Sequence, residues 1–295
     1  MSSKKRILVE GRDDKSHVKN LLDVLHGGHK VKIDTAEDIK GICKVTASNN
    51  KAKIEAVFRR CKESTTHKNL YYLCDREYVN FEIGTKIVDL MPEHTLNGNL
   101  ALTIGHSIEN YFFTEDLLCE AYRYHCGSAY KSDAVVLFRK ILPSAIKIVA
   151  ISALAAKDIG RASFPLGVIG WQDFSFDNDK IYFNFTSWNS KNKTEIAVNF
   201  YESYLKISPI VEQTDEVICS RICRGHTAML LLQRIFSACL HQVIKDKDKL
   251  LAENDAKLFS IIKEKNLSNA LCESWIKQAK DGQSVYPREL IASVA

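Results

Sequence analysis

The run Leu70-Tyr71-Tyr72-Leu73-Cys74 constrains the fold more than any other segment of this 295-residue chain. Its hydrophobicity is continuous rather than alternating, and it stops abruptly at Asp75-Arg76-Glu77. A strand of that kind is buried on both faces, as in a parallel sheet covered by helices. The surrounding segments agree. Ile7-Leu8-Val9 predicts a short strand ending at Glu10-Gly11, and Asp13 or Asp14 can cap the helix that follows. That helix carries Val18, Leu21, Leu22 and Leu25 at i, i+3, i+4, i+7, and Gly27-Gly28 closes it after His26. Val31-Lys32-Ile33 predicts a second strand. A helix over 51–62 turns Ile54, Val57, Phe58 and Cys61 inward and leaves Lys51, Lys53, Arg59, Arg60 and Lys62 on its outer face. A further strand over 100–104 leads into Gly105-His106-Ser107-Ile108-Glu109-Asn110. The βαβαβ order predicts a small parallel α/β domain over residues 1–115.

Residues 116–295 have a different texture. Segments 115–126, 134–157, 194–205, 226–244, 250–265 and 269–280 are helical in pattern, while 171–185 alternates aromatics (Phe174, Phe176; Ile181, Phe183, Phe185) around Asp177-Asn178-Asp179, the signature of a hairpin. No internal repeat or flexible linker intervenes. The expected fold class is α/β, a parallel sheet flanked by helices with a mostly helical C-terminal region packed on it.

Composition narrows the class. With 45% hydrophobic and 26% charged residues and only 5 prolines, the chain is neither disordered nor fibrous. The net charge of +5 falls short of the bias expected of a dedicated nucleic-acid coat. Nine cysteines, an odd number with no Cys-x-x-Cys pair, make neither a disulfide framework nor a zinc site; Cys219 and Cys223 read as small apolar residues on one buried helical stripe. Three apolar residues before Glu10 are too few for a signal peptide. The apolar stretch 148–156 is too short to cross a bilayer. A reduced, cytoplasmic protein without a membrane partner is the expectation.

Ligands of an open parallel sheet bind where its strands end at their carboxyl termini. Acids fall at three such ends: Glu10, Asp75 with Glu77, and Glu109, with Asp14 one helical turn beyond Glu10. On extended backbone residues 75 and 77 point the same way. Clustered carboxylates repel unless a cation lies between them, and an oxygen-only set without His or Cys selects Mg²⁺ or Mn²⁺. Such an ion stabilises a phosphodiester transition state and activates water. Each acid also has a plainer role, Asp14 as a helix cap and Glu109 as a favourable charge at a helix start; their joint placement is what argues for metal.

Basic residues supply further candidates. Lys51, Lys53, Arg59 and Arg60, opposed on their helix by Glu55 alone, can hold a nucleic-acid backbone, meet an acidic partner, or form a solvated face. Lys4, Lys5 and Arg6 precede the first strand, away from the acids. Arg224-Gly225-His226 opens a strongly apolar helix, where phosphate contact, proton donation by His226, or a simple turn and cap are the alternatives; His106 is placed similarly. The aromatics of 171–188 stack on bases or, at that spacing, fill a core.

Two of these segments carry a resemblance. Val9-Glu10-Gly11-Arg12-Asp13-Asp14 and Leu73-Cys74-Asp75-Arg76-Glu77, each behind an apolar strand, resemble the two signatures of the Toprim domain, a fold of topoisomerases, primases and OLD-family nucleases. Gly105-His106-Ser107-Ile108-Glu109-Asn110-Tyr111, with Arg224-Gly225-His226, is similar to the Toprim-containing DUF4435 family, which includes the nuclease effector of the PARIS anti-phage system, a partner of an ABC-type ATPase. The resemblance implies a Toprim-like catalytic domain over 1–115 and a family-type helical region over 116–295. It makes Glu10 general base or metal ligand and Asp75 and Glu77 metal ligands, with Asp14 and Glu109 completing the cluster and Gly11 admitting a phosphate close to the backbone. Where Toprim domains carry Asp-x-Asp, this chain has Asp75-x-Glu77. The implied activity is Mg²⁺- or Mn²⁺-dependent hydrolysis of nucleic acid, RNA and above all tRNA ahead of DNA, by a toxic defence effector under ATPase control. The alternative is a non-catalytic Toprim-like subunit that docks on the ATPase. An exposed sheet edge or helical face can also support a homodimer. A topoisomerase-like role would need a tyrosine nucleophile in a separate module.

Overall fold

In this computed structural model, which describes residues 4–27, 31–41 and 43–295, the chain opens with β1 (Arg6–Val9), α1 (Arg12–His26), β2 (Lys32–Thr35), α2 (Lys44–Ser48), α3 (Asn50–Cys61) and β3 (Leu70–Cys74). Short strands follow: β4 (Phe81–Ile83), β5 (Ile87–Asp89), β6 (Leu96–Asn97) and β7 (Leu100–Leu102). One sheet has the order β2-β1-β3-β7-β6, parallel except for β6 at its edge. Tyr72, Leu73 and Cys74 are all buried, as the continuous apolar run requires. On one face Leu8, Tyr72 and Cys74 pack with Ile54 of α3. Ile7, Val9 and Leu73 alternate to the other face, where the right-handed crossover places α1 with its buried Val18, Leu21 and Leu22. The predicted parallel α/β class therefore holds. The β4–β5 hairpin, β6 and α2 carry too few residues to leave a periodic signal, and Gly28, expected to help close α1, lies outside the described residues.

The topology sets the site. From β1 the chain crosses to β2 on one side, returns past β1 to β3, and from β3 continues outward to β7. The connections of β1 and β3 thus diverge, leaving a crevice between their carboxyl ends.

Two compact units divide the chain without following a single cut: residues Met1–Val79, Met91–Tyr111 and Trp275–Ala295 form the first, Asn80–Leu90 and Phe112–Ser274 the second. The first contains the five-stranded sheet. The second is mostly helical, with α4 (Glu115–His125), α5 (Lys131–Asp158), α6 (Phe164–Val168), α7 (Phe185–Lys191), α8 (Glu195–Glu212), α9 (Glu216–Ile222), α10 (Gly225–Ile244) and α11 (Lys249–Ser260). Tyr122, Phe138, Phe236 and Phe259 interlock in its core, with Phe236 and Phe259 centroids 4.6 Å apart. The expected hairpin is β8 (Phe174–Asp177) with β9 (Lys180–Phe183), turned by Asn178 at φ 51°. Phe174, Phe183 and Trp188 are buried, so these three form core and offer nothing to a base. Among the described residues α10 alone is long and apolar enough to cross a membrane, and 72% of its apolar window is buried within the fold. Two helices complete the chain, α12 (Glu264–Lys280) and α13 (Arg288–Val294). None of the nine cysteines is in a disulfide; Cys219 and Cys223 are fully buried, the Cys223 thiol donating to the Cys219 carbonyl.

Candidate active site at the carboxyl end of the sheet

Glu10 stands immediately after β1, and its Oε1 accepts the backbone N–H of Asp75, 2.9 Å away, across the crevice between β1 and β3. The acid of one strand end therefore fixes the backbone of the next. Asp14, in the first turn of α1, reaches back so that its Oδ2 accepts the Gly11 N–H at 2.8 Å. Gly11, rather than Asp13 or Asp14, is the N-cap. Its φ of −127° suits any residue and its N–H is committed to Asp14, so the expected phosphate approach finds no open amide there. Glu109 lies in a 3₁₀ turn (Ile108–Phe112), where its Oε2 accepts the Ser107 hydroxyl at 2.5 Å while Asn110 accepts the Ser107 N–H.

Arg76 joins these strand ends from within. It is fully buried, donating through Nε to the Val79 carbonyl and through Nη1 to the Ile104 carbonyl, both at 2.8 Å. Its backbone N–H meets Thr103 Oγ1, which in turn donates to the Gly105 carbonyl. A charge so deep persists only when its donors are satisfied. The Glu109 loop is also clamped from its far side: the Tyr111 hydroxyl bonds His94, and the Tyr111 ring stacks on Trp275 at 5.2 Å, whose indole N–H donates to the Val285 carbonyl.

The electrostatics are those of an anion cluster that Lys51 compensates only in part. Burial is the main force raising Glu10 from its ordinary 4.5 to about 7; the Asp75 N–H and Lys51 oppose the rise, and Glu77 and Glu55 add to it. Asp14 rises from 3.8 to about 7 through burial, against the Gly11 hydrogen bond, with Glu109, Glu10 and Asp13 adding repulsion. Asp75 is pushed well above its ordinary range by burial and then by Asp14, Glu10 and Glu109. Glu10 and Glu109 repel both Asp14 and Asp75, and Asp14 repels Asp75, so these four carboxylates form one interacting group. His17 of α1, buried nearby, is held below its usual range by desolvation, against Glu109 and Asp13.

Several expectations need correction. β3 ends at Cys74, and Glu77 adopts a left-handed φ of 53°, so Asp75 and Glu77 do not share a side of an extended strand. Glu77 is exposed and pairs with Lys51 Nζ at 3.2 Å. Lys51 and Lys53 are not on an outer face; both are buried. Lys51 Nζ also donates to the Arg76 carbonyl at 3.0 Å, and Lys53 Nζ to the Ala36 carbonyl and Asn50. Helical spacing contains the signal: Lys51 lies three and seven residues before Ile54 and Phe58, on the apolar stripe. Arg59 and Arg60 are exposed as expected. Arg224 and His226 belong to the second unit, where Arg224 donates to Ser163 and His226 pairs with Glu264, which fits the turn-and-cap alternative. His106 is buried edge-on to Tyr78, and its carbonyl accepts the Glu77 N–H. His17 leaves no pattern in a single sequence, and Ser107, Arg76 and Glu55, though part of segments described above, carry no local signal of a place at this site.

Among the described residues, no three Asp, Glu, His or Cys side chains close into a ready-made metal cage. The donor chemistry nevertheless fits a hard divalent cation: oxygen-only, partly desolvated carboxylates whose mutual repulsion one cation would relieve. No family model matches the chain, and no curated protein matches it at a significant level.

Proposed function

We propose that the protein is a Mg²⁺- or Mn²⁺-dependent nuclease of the Toprim type, with Glu10, Asp14, Asp75 and Glu109 as the acids that would hold the ion. The carrying observation is their convergence at the crevice between β1 and β3, with burial raising Glu10, Asp14 and Asp75 and repulsion by the other acids adding to the rise of Asp14 and Asp75. The ion supplies charge stabilisation to a phosphodiester transition state. Glu10 would take a proton from the attacking water as general base. Asp75 positions Glu10 through its N–H, Ser107 orients Glu109, and Lys51 balances part of the negative charge while holding the Arg76 carbonyl. Glu77, drawn to Lys51, is a peripheral member of the cluster.

The resemblance to the DUF4435 family supports the rest of the proposal: RNA, and tRNA first, as substrate; a toxic role in anti-phage defence; a cytoplasmic location; and control by an ABC-type ATPase. Sequencing nucleic-acid ends after brief induction of wild type beside Glu10→Ala tests it. Ends that appear only with wild type support the assignment and identify the substrate; equal ends from both remove Glu10 from catalysis.

A second reading, a non-catalytic subunit that docks on an ATPase, is favoured by the Glu77–Lys51 pair and the lack of a closed metal cage among the described residues. It prevails if neither protein cleaves any nucleic acid while both bind the ATPase.

A further inference from the structure

We propose that the second unit contains a nucleotide-binding site of its own, in the cavity lined by residues 166–176, α10 and α11. The cavity has a volume of about 1070 Å³, at the top of the range of roughly 300–1,000 Å³ typical of small-molecule sites. Its lining has two parts. One is aromatic: Trp171 is half-buried and tilted against His241 with ring centroids 5.0 Å apart, and Phe176 lies half-buried in the same wall. The other is cationic, with Arg234, Lys245, Lys249 and Lys257 against a single carboxylate, Glu253.

Among the described residues, Lys245, Lys249 and Lys257 form no ion pair, and Glu253 neutralises none of them at contact distance. Lys249, Glu253 and Lys257 recur every four residues and so share one face of α11. Arg234 plays a different part, donating to the Leu166 and Ile169 carbonyls and fixing the shape of the wall. Asp173, the acid closest in sequence to Trp171, is buried and engaged with the Gly170 N–H and Lys191. Burial, Lys245 and Lys249 hold His241 below its usual range, so its ring is neutral near pH 7 and adds no charge beside Trp171.

Unpaired lysines beside a stackable indole make the chemistry of a nucleotide. The lysines meet phosphate oxygens with charge-assisted hydrogen bonds, and the base lies on the aromatic wall. The side-chain amides of Gln172 and Gln242 offer donors and acceptors to a base edge. That nucleotide is either free, as a nucleoside triphosphate, or one unit of an RNA strand. The inference needs none of the sheet-end acids and stands apart from the nuclease reading.

Tryptophan emission gives a selective readout. Trp188 and Trp275 are 0% and 1% exposed, so quenching by solutes reports on Trp171. The full-length protein is titrated in EDTA with ATP, GTP, inorganic triphosphate and a short single-stranded RNA oligonucleotide. Saturable quenching is expected. Lys245→Ala combined with Lys249→Ala should raise Kd about tenfold or more with an unchanged Tm, as two lost charge-assisted contacts require. Glu10→Ala should bind as wild type does. Quenching by ATP or GTP assigns a free nucleotide; quenching by the oligonucleotide with both mononucleotides inert assigns a strand. Absence of quenching by every probe overturns the site. So does a Kd indifferent to the lysines, and inorganic triphosphate binding as tightly as ATP and GTP overturns the stacking assignment.

Discussion

The carboxyl end of the sheet and the core of the helical unit treat burial in opposite ways. In the helical unit, buried side chains such as Tyr122, Phe138, Phe236 and Phe259 gain stability from apolar contact, and its charges lie outside or in pairs such as Arg221 with Asp89. At the sheet end, Glu10, Asp14 and Asp75 are desolvated together with Lys51 as their main nearby opposing charge. A region that sacrifices stability in this way is where function belongs. The core is built to stay folded; the crevice keeps its carboxylates desolvated at a cost.

Substitutions should separate the two. Glu10→Ala, and separately Asp75→Asn, should lower metal-dependent cleavage by about a thousandfold, measured as initial rate on labelled RNA, with no loss of Tm. Cleavage surviving either change would break the contrast at its functional end. Phe236→Ala should do the reverse, costing about 3–5 kcal/mol of stability by denaturant titration while the rate per folded molecule stays within about twofold of wild type.

The pH dependence sharpens the same contrast. Glu10 and Asp14 keep their protons to about pH 7 when folded but release them near their ordinary 4.5 and 3.8 when unfolded. The folded state therefore binds more protons across that window, and this contribution to stability is full below about pH 4 and lost as pH rises through 7. In EDTA, Tm should fall between pH 5 and 8, and Mg²⁺ should recover part of it. Glu10→Gln should flatten the slope and raise Tm at pH 8, by about 2–4 °C for each kcal/mol relieved. A slope identical to that of wild type would remove Glu10 from the coupled group. The smallest effect belongs to the helical unit: His226→Ala should cost under about 1 kcal/mol, because its pair with Glu264 is partly solvated.

Much of this was legible from residue order alone. A continuous apolar run can bury both faces only in a covered parallel sheet, so Leu70-Tyr71-Tyr72-Leu73-Cys74 announced the fold and placed Asp75 at a strand end. The same logic placed Glu10; Glu109 lies seven residues beyond the end of β7, in a 3₁₀ turn rather than at the strand end. Glu77 departs from the expectation because β3 ends three residues before it, at Cys74, and a left-handed turn intervenes. Lys51 and Lys53 depart from the expected outer face because a lysine's long apolar stem can run through a core to a carbonyl at its end, here those of Arg76 and Ala36. The contacts that hold Glu109 in place, from Ser107 to Trp275, depend on residues far apart in the chain and have no local pattern.

That last clamp has a consequence for the order of events in the cell. Tyr111 of the Glu109 loop rests on Trp275 and, through it, on Val285, and a ribosome reaches those residues only after making the whole helical unit. The sheet and its other acids are synthesised first, but the loop that completes them waits for the tail. Under the proposed nuclease function, a site assembled this way would stay unfinished throughout most of its own translation, next to the RNA it would otherwise cut.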